Sequence, residues 1–166
     1  EICLSDWSSD VCSSDLNYQD GHGGYSNPLD EQEWLVNNLN QLQQLPEWKD
    51  TAVIIMYDDT DGDYDHVAPP KSQFDDIVGR RGFGPRLPFL LISPYAKNNY
   101  VDHTLTDQSS VLKFIEYNWG IPALGADRAD QYAGSILNMF DFNKKTASPK
   151  LFLDPKTGVV VPNLTK

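Results

Sequence analysis

Residues 51–66 read TAVIIMYDDTDGDYDH. Thr51–Tyr57 is a short apolar run rich in β-branched side chains, and the stretch after it carries Asp58, Asp59, Asp61, Asp63, Asp65 and His66. The run suits a strand buried on both faces, as in a parallel sheet covered by helices. In open α/β sheets, ligands bind beyond the carboxyl ends of the strands. The acidic string therefore stands where a site is expected. Carboxylates this close in sequence repel one another unless solvent or a cation intervenes. Oxygen donors suit a hard divalent cation such as Mg²⁺, Ca²⁺ or Mn²⁺; the plainer alternative is a solvated acidic turn. An EF-hand loop does not fit. With Gly62 at the invariant glycine, the first ligand position is Tyr57 and the last is Ala68, where a glutamate is required.

Outward from this stretch, the pattern predicts an α/β chain. Leu35, Leu39 and Leu42 recur at helical spacing behind Asp30 as a cap, which predicts a helix over about residues 30–44. Leu87–Ser93 (LPFLLIS) predicts a second buried strand. Asp107 stands as the N-cap of a helix with Val111, Ile115 and Trp119 on one face, and Gly120 stops it. Phe74–Val78 predicts a small helical turn, residues 127–140 a last short helix, and Leu151–Val161 a hairpin around Asp154–Gly158. Helix, strand, loop, strand and helix in this order favour a mostly parallel sheet flanked by helices. Two strands make a poor sheet, so the expectation is that an N-terminal half is missing.

The charge balance excludes one class of partner. Lys plus Arg number 13 against 24 Asp plus Glu, a net charge of −11. Nucleic-acid binding needs a cationic face and is not expected. No apolar stretch approaches the ~18 residues of a membrane span. Glu1–Leu16 (EICLSDWSSDVCSSDL) repeats Ser-Ser-Asp, lacks Lys and Arg, and has neither helical nor strand periodicity. It reads as an artefactual or disordered leader resembling translated sequencing-adapter read-through, with a polar linker as the alternative. Cys3 and Cys12 both lie in it, so residues 17–166 have no cysteine. Those residues are expected to form part of a single domain.

Three blocks follow one another in register: YDDTDGDYDHV, GPRLPFLLISPYAKNNYVDHT and DQSSVLKFIEYNWG. Together they resemble the C-terminal half of the bacterial phosphoesterase family, which includes non-haemolytic phospholipases C and related acid phosphatases. Upstream, DGHGGYSNPLDEQ resembles that family's histidine loop, with Gly23 where the family more often has proline. The resemblance covers about residues 17–142. It implies an alkaline-phosphatase-like fold and phosphate-ester hydrolysis through a metal-assisted phosphoryl-enzyme mechanism.

By that resemblance, Asp58 and Asp59 occupy the metal-ligand pair, and His22 and His66 are the catalytic candidates. Asp61 and Asp65 stand in a second tier. The cofactor would be a divalent cation (Ca, Mg, Mn or Zn), the substrate a phosphate ester or phospholipid, and the location outside the cytoplasm. Each residue also has a plain reading: Asp58 as a strand-end cap, His22 as an exposed loop residue, His66 as an orienting group. Arg86 is expected to pair with the acidic loop, with a substrate phosphate as the alternative partner. The family's nucleophile motif and its opening metal-binding motif have no counterpart here, so the chain alone is expected to be inactive. The alternative function is a non-catalytic calcium-binding module built on residues 58–66.

Overall fold

The computed structural model describes residues 19–60, 62–71, 82–125, 128–144 and 147–162. Asp61, the leader and the turn expected at Phe74–Val78 lie outside these residues. The chain divides into two compact units. Residues up to Thr51 join those from Pro149 onward in one, and Ala52–Ser148 form the other.

In the first unit, helix α1 spans Pro28–Leu42. It begins before the expected Asp30 cap because Asn27 caps it: the Asn27 side chain accepts from the Leu29 N–H (2.9 Å) and the Asp30 N–H (3.1 Å), and Pro28 occupies the first turn. A 3₁₀ turn, Pro46–Asp50, follows and buries Trp48. Strands β3 (Phe152–Leu153) and β4 (Val160–Val161) make the expected hairpin, antiparallel with Phe152 opposite Val161. Asp154 builds its turn. Its Oδ1 accepts from Lys156 N, Thr157 N and Thr157 Oγ1 at 3.0, 2.8 and 2.8 Å. Gly158, at φ +67°, supplies the left-handed residue such a turn requires.

The face of α1 toward β3 is polar. Asn40 and Gln43 are buried beside Val36. Asn40 Nδ2 donates to Leu153 O (2.7 Å), and its Oδ1 accepts from Leu153 N (3.2 Å). Gln43 does the same with Leu151 O and N, at 2.9 Å each. Each side-chain amide thus presents the donor and acceptor that a neighbouring strand would. That gives the backbone groups of Leu151 and Leu153 their hydrogen-bond partners.

In the second unit, β1 (Val53–Met56) pairs with β2 (Phe89–Ile92), in the register Val53↔Ile92 to Met56↔Phe89. The α/β composition is as expected, but both described strand pairs are antiparallel, unlike the mostly parallel sheet read from the sequence. An apolar run specifies burial and says nothing about partner direction. The residues of β1 are half-buried here, so the run reflects less covering than it suggested.

Helix α2, Ser109–Trp119, starts one residue after Gln108 and ends at Gly120 in the left-handed conformation, φ +63°. Asp107 is not its N-cap; Gln108 takes that position and makes no capping bond with its side chain. The Asp107 N–H donates instead to Ser110 Oγ, at 3.0 Å. Trp119, expected on the packed face, is 58% exposed.

The helix expected over residues 127–140 is two pieces: α3 (Ala129–Tyr132) and a 3₁₀ turn at Leu137–Met139. Between them Gly134 lies so close to the Leu105 carbonyl that a side chain has no room. The core gathers Ala133, Ile136 and Phe140, with Phe140 stacked on Phe114 and on Phe142 at 5.0 Å each. Lys113 Nζ closes α3 by donating to Gln131 O (3.2 Å) and Ala133 O (2.7 Å).

One buried contact opposes this packing. Glu116 of α2 and Asp130 of α3 are both buried, and the one carboxyl acts on the other. Asp130 Oδ2 accepts from Leu124 N (2.9 Å), while Glu116 Oε1 and Asp130 Oδ1 have no partner among the described residues. Burial first, then the charge of Asp130, pushes the Glu116 carboxyl above its ordinary range. The folded state therefore favours protonated Glu116. The cost of ionising it is absent below the unfolded value of ~4.3 and grows as pH rises toward the folded one. Glu116→Gln should raise the melting temperature at pH 7, and the two proteins should melt together below about pH 4. Calorimetric scans across that range are the measurement.

Candidate functional site

The site begins where the β1–β2 ladder stops. Its last pair is Met56↔Phe89, so Tyr57 and Asp58 emerge past the sheet with carbonyls that no strand pairs. Gln108, just before α2, supplies the partner: its Nε2 donates to Tyr57 O (3.3 Å) and to Asp58 O. Asp58 Oδ1 accepts from the Asp59 N–H at 3.0 Å. Asp58 and Asp59 are solvent-exposed, with their carboxylates one residue apart at the strand end.

The loop then turns and is fastened. Asp63 N donates to Thr60 O (2.8 Å), with Gly62 at φ +81°. Asp65 is the fastening. Its Oδ2 accepts from Arg86 N (3.0 Å) and Arg86 Nε (2.9 Å), and its Oδ1 from Arg86 Nη2 (2.9 Å) and Val67 N (2.9 Å). A carboxylate has about four acceptor positions, and all are taken. In this geometry Asp65 holds the loop to the approach of β2, and the pairing expected for Arg86 with the acidic loop is present. The bond from Arg86, then the N–H groups of Val67 and Arg86, holds the Asp65 carboxyl far below the usual carboxylate range. The same bond raises the Arg86 pKa.

Beside this clamp lies a cavity of about 390 Å³, lined by Thr60, Asp63, Tyr64, Asp65, Pro85, Arg86, Leu87 and Pro88. Asp58, Asp59 and His66 do not line it. His66 is exposed on the far side of Asp65 in sequence. His103, also exposed, follows Asp102, whose Oδ1 accepts from Thr104 N (3.2 Å) and Thr104 Oγ1 (2.9 Å).

His22 belongs to the other unit. Its loop is ordered by local bonds: Ser26 N donates to His22 O (3.0 Å), Gly21 N to Ser26 Oγ (3.1 Å), and His22 N to Asp20 Oδ1 (3.1 Å). The ring stacks on Tyr25, with centroids 4.3 Å apart and planes 14° from parallel. Nδ1 lies 2.6 Å from Gly23 O. A carbonyl can only accept, so Nδ1 is the donor of this contact.

The donor chemistry of Asp58 and Asp59, two exposed carboxylates, fits a hard divalent cation. They would supply only part of a shell: among the described residues, no three His, Cys, Asp or Glu side chains gather as a ligand set. Gln108 stands within the DQSSVLKFIEYNWG block but carries no site signal of its own in the sequence. A long amide at a helix start has no meaning until the fold brings it to the strand end.

Comparison with known proteins agrees with the order of these blocks. A sequence model described as the Phosphoesterase family matches residues 11–122. The chain is similar to a "Non-hemolytic phospholipase C" of Pseudomonas aeruginosa, at 31% identity over 77% of this chain and 22% of that protein. It is similar to "Phospholipase C B" of Mycobacterium tuberculosis (strain H37Rv), at 33% over 78% and 30%, and to "Non-specific phospholipase C1" of Arabidopsis thaliana, at 28% over 69% and 26%. The chain spans less than a third of the length of these relatives.

The clamp makes a pH prediction. Asp65 has a depressed folded pKa, so its contribution to stability is complete above the unfolded value of ~3.9 and is lost as pH falls through the folded one. Arg86→Gln should move the Asp65 titration up toward that ordinary value, read from its carboxyl carbon by NMR. A titration that stays in place would assign the effect to the backbone N–H groups alone.

Proposed function

The chain belongs to the phosphoesterase family, and on that premise we propose that the protein hydrolyses phosphate esters, with phospholipids as its substrate class. The named relatives, each a phospholipase C, support that choice of substrate. The observation that carries the reading is the Asp58–Asp59 pair, delivered past the end of β1 in a loop that Asp65 and Arg86 hold. On this reading the fold is part of an alkaline-phosphatase-like architecture and the protein acts outside the cytoplasm. Among the described residues, no helix is long and apolar enough to cross a membrane.

Asp58 and Asp59 would hold a divalent cation, whose chemistry is to polarise phosphoryl oxygens and lower the pKa of an attacking hydroxyl. The chain's own residues do the rest of the positioning. On the family reading, His22 is the candidate for giving or taking a proton at an ester oxygen. Asp65 and Arg86 neutralise one another, so the clamp adds no charge to the carboxylates that must meet the cation. His66 and Asp61 are secondary candidates in the same loop.

Two outcomes are expected. In the full-length protein, Asp58→Asn should weaken divalent-cation binding by at least ~10–100-fold, with phosphodiesterase turnover falling alongside. Equilibrium cation titration with a chromogenic diester assay checks both, and unchanged values would remove Asp58 from the site. The 166-residue chain by itself should show no saturable turnover of a chromogenic phosphodiester or phosphomonoester with Mg²⁺, Ca²⁺, Mn²⁺ or Zn²⁺, since none of its segments matches the family's nucleophile motif. Turnover that co-purifies with the chain and disappears in Asp58→Asn would overturn this. Cation binding without turnover in the full-length protein would favour the calcium-binding module instead.

A further inference from the structure

We propose that Gln108 is a positioning residue for the Asp58–Asp59 pair, setting the aim of the Asp58 carboxylate through two backbone carbonyls. The inference rests on the reading of that pair as a cation site. Its starting point is the carboxamide of Gln108, whose Nε2 donates to Tyr57 O (3.3 Å) and to Asp58 O. These two oxygens belong to the peptide planes on either side of the Asp58 Cα. Fixing both planes fixes the backbone dihedrals of Asp58 and the direction in which its Cβ leaves the chain. The second plane also carries the Asp59 N–H, which donates to Asp58 Oδ1 at 3.0 Å. One amide therefore determines where the carboxylate begins and where the N–H that orients it points.

The strand ladder ends at Met56, one residue too early to hold these carbonyls. Gln108 is not occupied elsewhere, since its side chain makes no capping bond to α2. Its chemistry also suits the place. An amide nitrogen offers two protons to two carbonyls. It is uncharged, so it neither competes with a cation for the carboxylates, as lysine would, nor repels the carbonyls, as glutamate would. Groups that orient metal ligands typically cost ~10–100-fold in metal affinity or activity when removed.

The test uses the metal-free full-length protein titrated with Mn²⁺ alone, the unbound ion being read by its paramagnetic resonance signal. Gln108→Leu keeps the bulk of the side chain and removes the donor. Gln108→Asn keeps the donor on a stem one methylene shorter, unable to span both carbonyls, and is the second variant should the first fail to fold. The expected result is a loss of Mn²⁺ affinity of ~10–100-fold in Gln108→Leu and a smaller loss in Gln108→Asn. Turnover should fall through kcat with KM unchanged, and melting temperatures should stay near wild type. Wild-type affinity in a folded Gln108 variant, with Asp58→Asn still weakening Mn²⁺ binding, would overturn the proposal and leave the site reading intact. Affinity that falls only in step with melting temperature would overturn it equally. Unchanged affinity in Asp58→Asn would remove the site reading and this proposal together.

Discussion

The carboxylate of Asp65 is the point on which the acidic loop turns. The residues around it are mostly of one charge, and such a segment left to itself extends to separate them. Four donors converge on Asp65, three of them from Arg86. A surface ion pair is ordinarily worth little, because two long side chains must be held and water screens them. Here the geometry is bidentate and backbone N–H groups share the work, so the carboxylate is positioned more firmly than a lone pair would be. The start of the loop is then tied at Asp58 by Gln108, and its far end at Asp65 by Arg86.

That division of labour separates acids that look alike in the string YDDTDGDYDH. Asp65 spends all of its acceptor capacity inside the protein. Asp58 and Asp59 keep exposed carboxylates. Asp63 lines the neighbouring cavity with Tyr64 and Arg86. The difference comes from which residue lies opposite each oxygen, and from nothing intrinsic to aspartate.

The parts of the fold legible in the sequence were those with local causes. The apolar runs at Val53–Met56 and Phe89–Ile92 became strands, Gly120 ended its helix, and the Asp154–Gly158 turn closed its hairpin. Boundaries moved where a side chain not weighed as a cap won, as Asn27 did over Asp30. Strand direction was illegible because it depends on what the rest of the chain brings alongside. For the site, the motif located Asp58, Asp59 and Asp65 in one loop. Their unequal roles were hidden because Arg86 and Gln108 are remote in sequence, 21 and 50 residues from their partners. The buried Asn40 and Gln43 were invisible for a related reason. A helix is read by its apolar residues, and here its packing toward β3 is made by amides.

Those amides give the two units different vulnerabilities. The contact of α1 with the β3 segment is fastened by neutral amides with no proton to gain in the physiological or mildly acidic range and little sensitivity to ionic strength. The acidic loop is fastened by a guanidinium–carboxylate pair whose arginine is exposed, and salt weakens it. Concentrated salt should therefore loosen the acidic loop while the amide bonds between α1 and the hairpin persist. Ionic strength could thus address one of these contacts and leave the other silent.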